Sequence, residues 1–195
     1  MENIHISGFP GCGKTSYCLG ESKKVLLDSG RVFWLTSSPL DVERFSQIMG
    51  DLPISNASKF HSMEFGENIL NNNTFENAVI QLINMCGQLT STKLVVIDGW
   101  DGDLDEFSKK YRIENISKLI KTSEKNDFRV IITSTSYEDA SNNSEKYKVR
   151  SKSKFESMGL VSWLVIPGEE GFRIIIKPDD SIKFKMVNDG IKIIP

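Results

Sequence analysis

The chain has 195 residues, enough for one α/β domain with a full core (read as a single domain over 1–195) and little left over for a second. Its 24 Lys and Arg against 26 Asp and Glu leave a formal net charge of −2, which excludes a global attraction to nucleic acid or an anionic membrane; any such contact must come from a local patch. Cys12, Cys18 and Cys86 form no C-x-x-C pair, their number is odd and no signal peptide precedes them, so a reducing, intracellular setting is expected, and no apolar run reaches the length of a membrane span.

Near the start, the β-rich run Asn3-Ile4-His5-Ile6-Ser7 feeds into Gly8-Phe9-Pro10-Gly11-Cys12-Gly13-Lys14-Thr15, a complete G-x-x-x-x-G-K-[ST] phosphate loop. A helical stretch follows from Lys14 to about Leu27, which is the strand-loop-helix context the motif needs. The glycines let the backbone curl so that several N–H groups face one point, where the helix N-terminus adds partial positive charge. The expected anion is a nucleotide polyphosphate. Gly8, Phe9, Pro10, Gly11, Cys12, Gly13, Lys14, Thr15 and Ser16 form the candidate nucleotide site, with Lys14 reaching the β/γ-phosphates and the Thr15 hydroxyl on Mg²⁺. Cys12 reads as a small residue that fits the loop, although a helix N-terminus tends to lower a thiol pKa and raise reactivity.

Further along, Val32–Leu35, Leu94–Ile97, Val130–Ile132 and Leu164–Ile166 are short apolar runs between helical segments. That alternation predicts a largely parallel sheet with helices on both faces. Ser38-Pro39 is expected to cap and open a helix that ends at Gly50, and Thr74 to cap a second that Gly87 closes. Ile113, Ile116, Leu119 and Ile120 mark a third. Near the end, Phe172–Lys177 and Ile182–Val187 flank the turn Pro178–Ser181 and predict an appended antiparallel hairpin. Asn71-Asn72-Asn73 and the polar stretch 138–154 read as surface loops. His5 and His61 have no other metal ligand near them in sequence and read as structural.

Leu94-Val95-Val96-Ile97-Asp98 is a buried strand whose tip delivers a carboxylate. Beside the phosphate loop, Asp98 is the natural partner of Thr15 at the metal, holding Mg²⁺ through water. The cofactors expected are therefore ATP and Mg²⁺.

With these residues the chain resembles the RecA-like recombinase family, and specifically its short Rad-type paralogues. Gly13-Lys14-Thr15-Ser16-Tyr17-Cys18-Leu19 is similar to the family's G-K-T-x-x-C/A-L pattern, and Leu94–Asp98 to its Walker B strand. Val130–Ser134 is similar to the following sensor strand, and Phe184–Ile191 to the terminal F-x-I-x-x-x-G-I signature. Phe33–Leu40 and Ile97-Asp98-Gly99 look most like the subunit that works with a SWIM-domain protein in the Shu complex. Archaeal RadB is also similar. The resemblance implies a RecA-like P-loop NTPase fold and a nuclear mediator of homologous recombination and DNA repair. The location would be cytoplasmic for an archaeal source. Expected partners are a recombinase of the Rad/RecA family, a SWIM-domain protein or another paralogue, and single-stranded DNA.

The departures shape the expected activity. Where active recombinases carry a water-orienting acid, this chain reads Thr36-Ser37-Ser38; where their sensor strand ends Asn-Gln, it reads Ser134-Thr135. Weak ATP hydrolysis, or none, is expected. The N-terminal DNA-binding domain and the F-x-x-A linker of the recombinases are not found, and Phe75-Glu-Asn-Ala78 reads as core packing at helical spacing.

Lys146, Tyr147, Lys148, Arg150, Lys152 and Lys154 gather five cations around one tyrosine where the resemblance places the second DNA loop. An ordinary solvated lysine-rich loop is the alternative. Trp100 heads the acidic stretch to Glu106, expected to repel DNA and to offer an exposed tryptophan to a basic partner. A small nucleotide kinase with the same loop, and a RadB-like ATPase acting alone, are the competing functions; a kinase needs an arginine-rich lid.

Overall fold

The computed structural model describes residues 2–66, 74–102, 105–138 and 146–194. In chain order the elements are β1 (Asn3–Gly8), α1 (Lys14–Leu27), β2 (Arg31–Thr36), α2 (Val42–Met49), α3 (Ile54–Ala57), β3 (Phe60–Glu64), α4 (Phe75–Gln88) and β4 (Thr92–Asp98). There follow α5 (Glu106–Asn126), β5 (Arg129–Thr135), β6 (Tyr137–Glu138), β7 (Tyr147–Lys148), α6 (Lys152–Glu156), β8 (Leu160–Pro167), β9 (Arg173–Ile176), β10 (Ser181–Val187) and β11 (Gly190–Ile194). Nine strands form one sheet in the order β11-β10-β9-β8-β1-β5-β4-β2-β3, and β6 pairs with β7 apart from it. Six strands from β8 to β3 run parallel. The last three, β9 to β11, return antiparallel.

The central strands are near-continuous apolar runs because both of their faces are covered. Along β2, Phe33 and Leu35 face one core with Val95, Ile97 and Ile132 beneath α4 and α5. Val32 and Trp34 face the other with Ile4, Ile6 and Ile131, beside Leu19 and Leu26 of α1. The period of two thus splits one run between two hydrophobic layers.

Several local expectations change. Ser38-Pro39 does not open a helix: Asp41 caps α2 by accepting from the Arg44 amide at 3.0 Å, while the Thr36 hydroxyl donates to the Ser38 carbonyl at 2.7 Å and holds that segment as a turn. Thr74 caps α4 as expected, accepting from the Asn77 amide at 3.3 Å, and the helix runs one residue past Gly87. The predicted hairpin is β9–β10, extended by β11 into a meander through the tight pairing of Val187 with Gly190. The edge strand β3 has no apolar alternation to announce it. Asn71-Asn72-Asn73 and residues 139–145 of the polar stretch lie outside the described residues.

Trp100 is not the exposed anchor expected of it. Its side chain is fully buried, packed edge-on against Phe155 with ring centroids 5.3 Å apart. The backbone explains this: the Trp100 amide donates to the Thr133 carbonyl at 3.2 Å, and Arg112 donates to the Trp100 carbonyl at 2.8 Å, so the ring is carried inward beside β5. Two described acids of that stretch have partners within the fold. Asp101 is buried against Arg150, and Asp105 caps α5 by accepting from the Ser108 amide at 2.8 Å; residues 103–104 lie outside the described residues. Trp100→Ala should therefore cost about 3–5 kcal/mol of stability, the range for removing a large buried aromatic, read from urea unfolding followed by circular dichroism.

Candidate functional site

β1 lies between β5 and β8, so the segment leaving its C-terminal end curls over the middle of the sheet before entering α1. Gly11 and Gly13 hold φ of 73° and 98°, the left-handed region that disfavours a side chain. At Gly13 a Cβ would also stand 2.5 Å from Met186 Sδ, so the loop rests directly on β10.

The Lys14 ammonium folds back onto its own loop, donating to the Gly8 carbonyl at 2.7 Å and the Phe9 carbonyl at 3.1 Å. Thr15 Oγ1 donates to Asp98 Oδ2 at 2.8 Å, joining residues 83 positions apart. The other carboxylate oxygen accepts from Thr133 Oγ1 at 2.6 Å, and Thr133 Oγ1 accepts from the Gly99 amide at 2.9 Å. β5, which separates β1 from β4, thus supplies the threonine that steers the carboxylate toward the loop. A hydroxyl and a carboxylate are hard oxygen donors of the kind that would suit Mg²⁺.

A cleft of about 400 Å³ opens above this pair. Gly11 to Ser16 form one wall, with Asp98 at the base and Thr36, Ser38 and Pro39 opposite. Among the expected nucleotide residues, Gly8, Phe9 and Pro10 do not line it: Gly8 is buried with the place of a Cβ taken by Cys12 and Val165, Phe9 packs against the core, and Pro10 is exposed. Cys12 does line it, and burial outweighs the nearby Lys14 charge and pushes its thiol pKa up, against the lowering a helix N-terminus tends to bring, in keeping with a small residue that fits the loop.

Arg44 is a cleft residue with no motif to signal it. Its guanidinium donates to Ser16 Oγ at 2.9 Å and to the carbonyls of Val187, Asn188 and Gly190 at 2.7, 2.9 and 2.7 Å. One planar fork joins the helix after the phosphate loop to the β10–β11 turn. The meander therefore forms a wall of the cleft, through Met186 on Gly13 and Arg44 on the turn.

Asp101 also escaped the sequence. Its Oδ2 accepts from the Thr135 amide at 2.9 Å and pairs with Arg150 Nε at 2.9 Å. Burial raises its pKa, with the Thr135 amide and Arg150 opposing. Arg150 in turn donates to the Thr135 carbonyl at 2.9 Å, and its amide to Ser7 Oγ at 3.2 Å. It is thus withdrawn from the cationic run expected to meet DNA, because a half-buried guanidinium beside a buried carboxylate is better satisfied inward. Of the others, Lys146 sits 3.6 Å from Glu138, Tyr147 and Lys148 are half-buried in β7, and Lys152 and Lys154 are exposed on α6.

His61 is hydrogen-bonded to Arg31 and stacked on Phe33. His5 is fully buried, hydrogen-bonded through Nε2 to Ser134 Oγ at 2.8 Å and lying 4.2 Å from the Phe155 ring. No protein-family model matches the chain, and no curated protein matches it.

Burial pushes the His5 pKa down to about 3, far below its ordinary value of 6.5. The folded state therefore refuses a proton that the unfolded chain accepts, so the stabilisation is complete above about pH 6.5 and is lost progressively as pH falls toward the folded value. Unfolding free energy measured by urea should drop between about pH 6.5 and 5, above the carboxylate range, and His5→Gln should reduce that drop, leaving the part due to His61, whose pKa burial and Arg31 also lower.

Proposed function

We propose that the chain is an ATP-binding, RecA-like recombinase paralogue that acts as a mediator or assembly subunit in homologous recombination and DNA repair, with weak or no hydrolysis of its own. The observation that carries the nucleotide reading is the Thr15–Asp98 hydrogen bond beneath the phosphate loop, with Thr133 of the intervening strand holding the carboxylate in place. The loop amides and the N-terminus of α1 would receive the phosphates. Lys14 would leave the Gly8 and Phe9 carbonyls for the β/γ-phosphates. Mg²⁺ between Thr15 and Asp98 would neutralise charge on those oxygens.

The far wall favours holding ATP over splitting it. Thr36 and Ser38 bring hydroxyls where an acid would orient water, and Asp41, which does line the cleft, engages its carboxylate as the cap of α2. Asp101 is tied to Arg150 and Thr135. Positioning and charge stabilisation would remain, while among the described residues lining the cleft the only carboxylates are Asp41 and Asp98, both already engaged. The recombination assignment rests on the resemblance of its motifs and their order along the chain. Its partners would be a recombinase of the Rad/RecA family and a SWIM-domain protein or second paralogue, in the nucleus or, in an archaeon, the cytoplasm.

Titration with a fluorescent ATP analogue should show Lys14→Ala binding at least about tenfold more weakly than wild type with an unchanged circular dichroism spectrum. The purified chain should hydrolyse ATP far below the enzyme median of about 10 s⁻¹ and should co-purify with a recombinase or SWIM-domain candidate. Equal affinity for both proteins would refute the nucleotide site. Capture of no such partner, together with phosphorylation of a nucleoside monophosphate, would replace the mediator by a kinase.

A further inference from the structure

A second and larger hollow, about 730 Å³, lies away from the nucleotide cleft on the sheet face that carries α4, α5 and α6. Helical cover on that face ends at α6, whose buried Phe155 packs with Leu160 at the start of β8. Beyond it, Leu164 pairs with Ile176 and Ile166 with Ile174 across β8 and β9. Directly opposed residues in an antiparallel pair share a face, so these four form one aliphatic patch. None of the four is buried, and Ile176 is 39% exposed. No described helix covers them.

The rim is cationic. Lys146, Lys148, Lys152 and Lys177 border the hollow in a protein whose net charge is −2; two exposed carboxylates stand near them, Glu138 at 3.6 Å from Lys146 and Glu156 at 3.9 Å from Lys152, so the four lysines keep an excess of positive charge. Ser162 also lines the hollow, 6% exposed, its buried hydroxyl without a hydrogen-bond partner among the described residues.

We propose that this hollow is a docking site for an acidic segment of a partner protein, with aliphatic side chains on the floor and carboxylates against the lysine rim. Charge complementarity selects an anion. The floor then selects peptide over nucleic acid. Single-strand sites rely on aromatic platforms for the bases, whereas the floor residues Leu164, Ile166 and Ile176 have no π face and the rings that line the hollow, Tyr137 and Tyr147, belong to the separate β6–β7 pair. Tyr147 already has the Lys146 ammonium 5.3 Å from its ring centroid, and Arg150, the one guanidinium of the 146–154 run, is turned inward to Asp101. The site stands apart from the nucleotide reading and depends on neither Lys14 nor Asp98.

The test uses the full chain and fluorescence anisotropy with a labelled peptide of alternating leucine and glutamate. A leucine–lysine peptide and labelled oligothymidylate serve as comparisons. The leucine–glutamate peptide should bind, lose affinity as salt is raised, and bind at least about tenfold more weakly to Ile176→Asp and to Lys152→Glu. Both variants should keep the wild-type affinity for the fluorescent ATP analogue, which reports an intact fold. Lys152 is exposed on α6, so its variant remains informative even where Ile176→Asp fails to fold. Failure of the peptide to bind, or equal binding by wild type and Lys152→Glu, overturns the proposal. Oligothymidylate binding that Lys152→Glu weakens while the peptide stays free overturns it in favour of single-stranded nucleic acid.

Discussion

Asp98 sits at the end of a parallel strand and must satisfy two oxygens where the sheet stops. It accepts from Thr15 at 2.8 Å on one side and from Thr133 at 2.6 Å on the other, so the phosphate-loop helix, β4 and β5 are locked at one point. Two hydroxyl donors, one on each oxygen, fix the direction in which the carboxylate points. The cleft above it has its base set by that pair. The loop curls back over the sheet because Gly11 and Gly13 adopt left-handed backbone, and it cannot settle lower because Met186 is already beneath Gly13.

The antiparallel meander is part of that site and not an appendage to it. β10 supplies Met186 under the loop and Phe184 to the core beneath α1, and its turn into β11 offers three carbonyls to Arg44. Arg44 also touches Ser16, so the position of the turn and that of the loop helix are fixed by the same guanidinium. Binding surfaces built this way draw precision from elements distant in sequence.

Burial decides the behaviour of several groups whose chemistry looked open. Asp101 and Arg150 come from two segments that would each present charge to solvent, yet both grip the Thr135 peptide, one at its N–H and one at its carbonyl, and neutralise each other. Removing either would leave the other as an uncompensated charge in low dielectric, which is why the pair persists. Trp100 and Cys12 follow the same logic: a large apolar ring and a small thiol are taken out of water, and their exposure-dependent chemistry goes with them. Around β8 and β9 the balance runs the other way, since the helices stop short and aliphatic side chains remain uncovered among lysines.

Much was legible in the residues themselves. The spacing of Gly8, Gly13, Lys14 and Thr15 marked the turn from β1 into α1, five apolar runs determined a mainly parallel sheet, and Thr74 determined where α4 begins, because backbone conformation, strand burial and helix capping are local properties that residue type expresses directly. The acid at the end of Leu94–Asp98 was legible too, though its bond to Thr15 awaited the strand order. Other features belonged to the tertiary structure alone. Arg44 carries no motif, since its partners are backbone carbonyls that any residues could provide; Arg150 looked like one more cation in a run until Asp101 was brought beside it; and Trp100 looked exposed because its neighbours in sequence are acidic, whereas its neighbours in space are Thr133, Arg112 and Phe155. Composition and spacing report what a side chain can do. Whether water or protein surrounds it is a long-range property of the fold, and that decided the roles of these three.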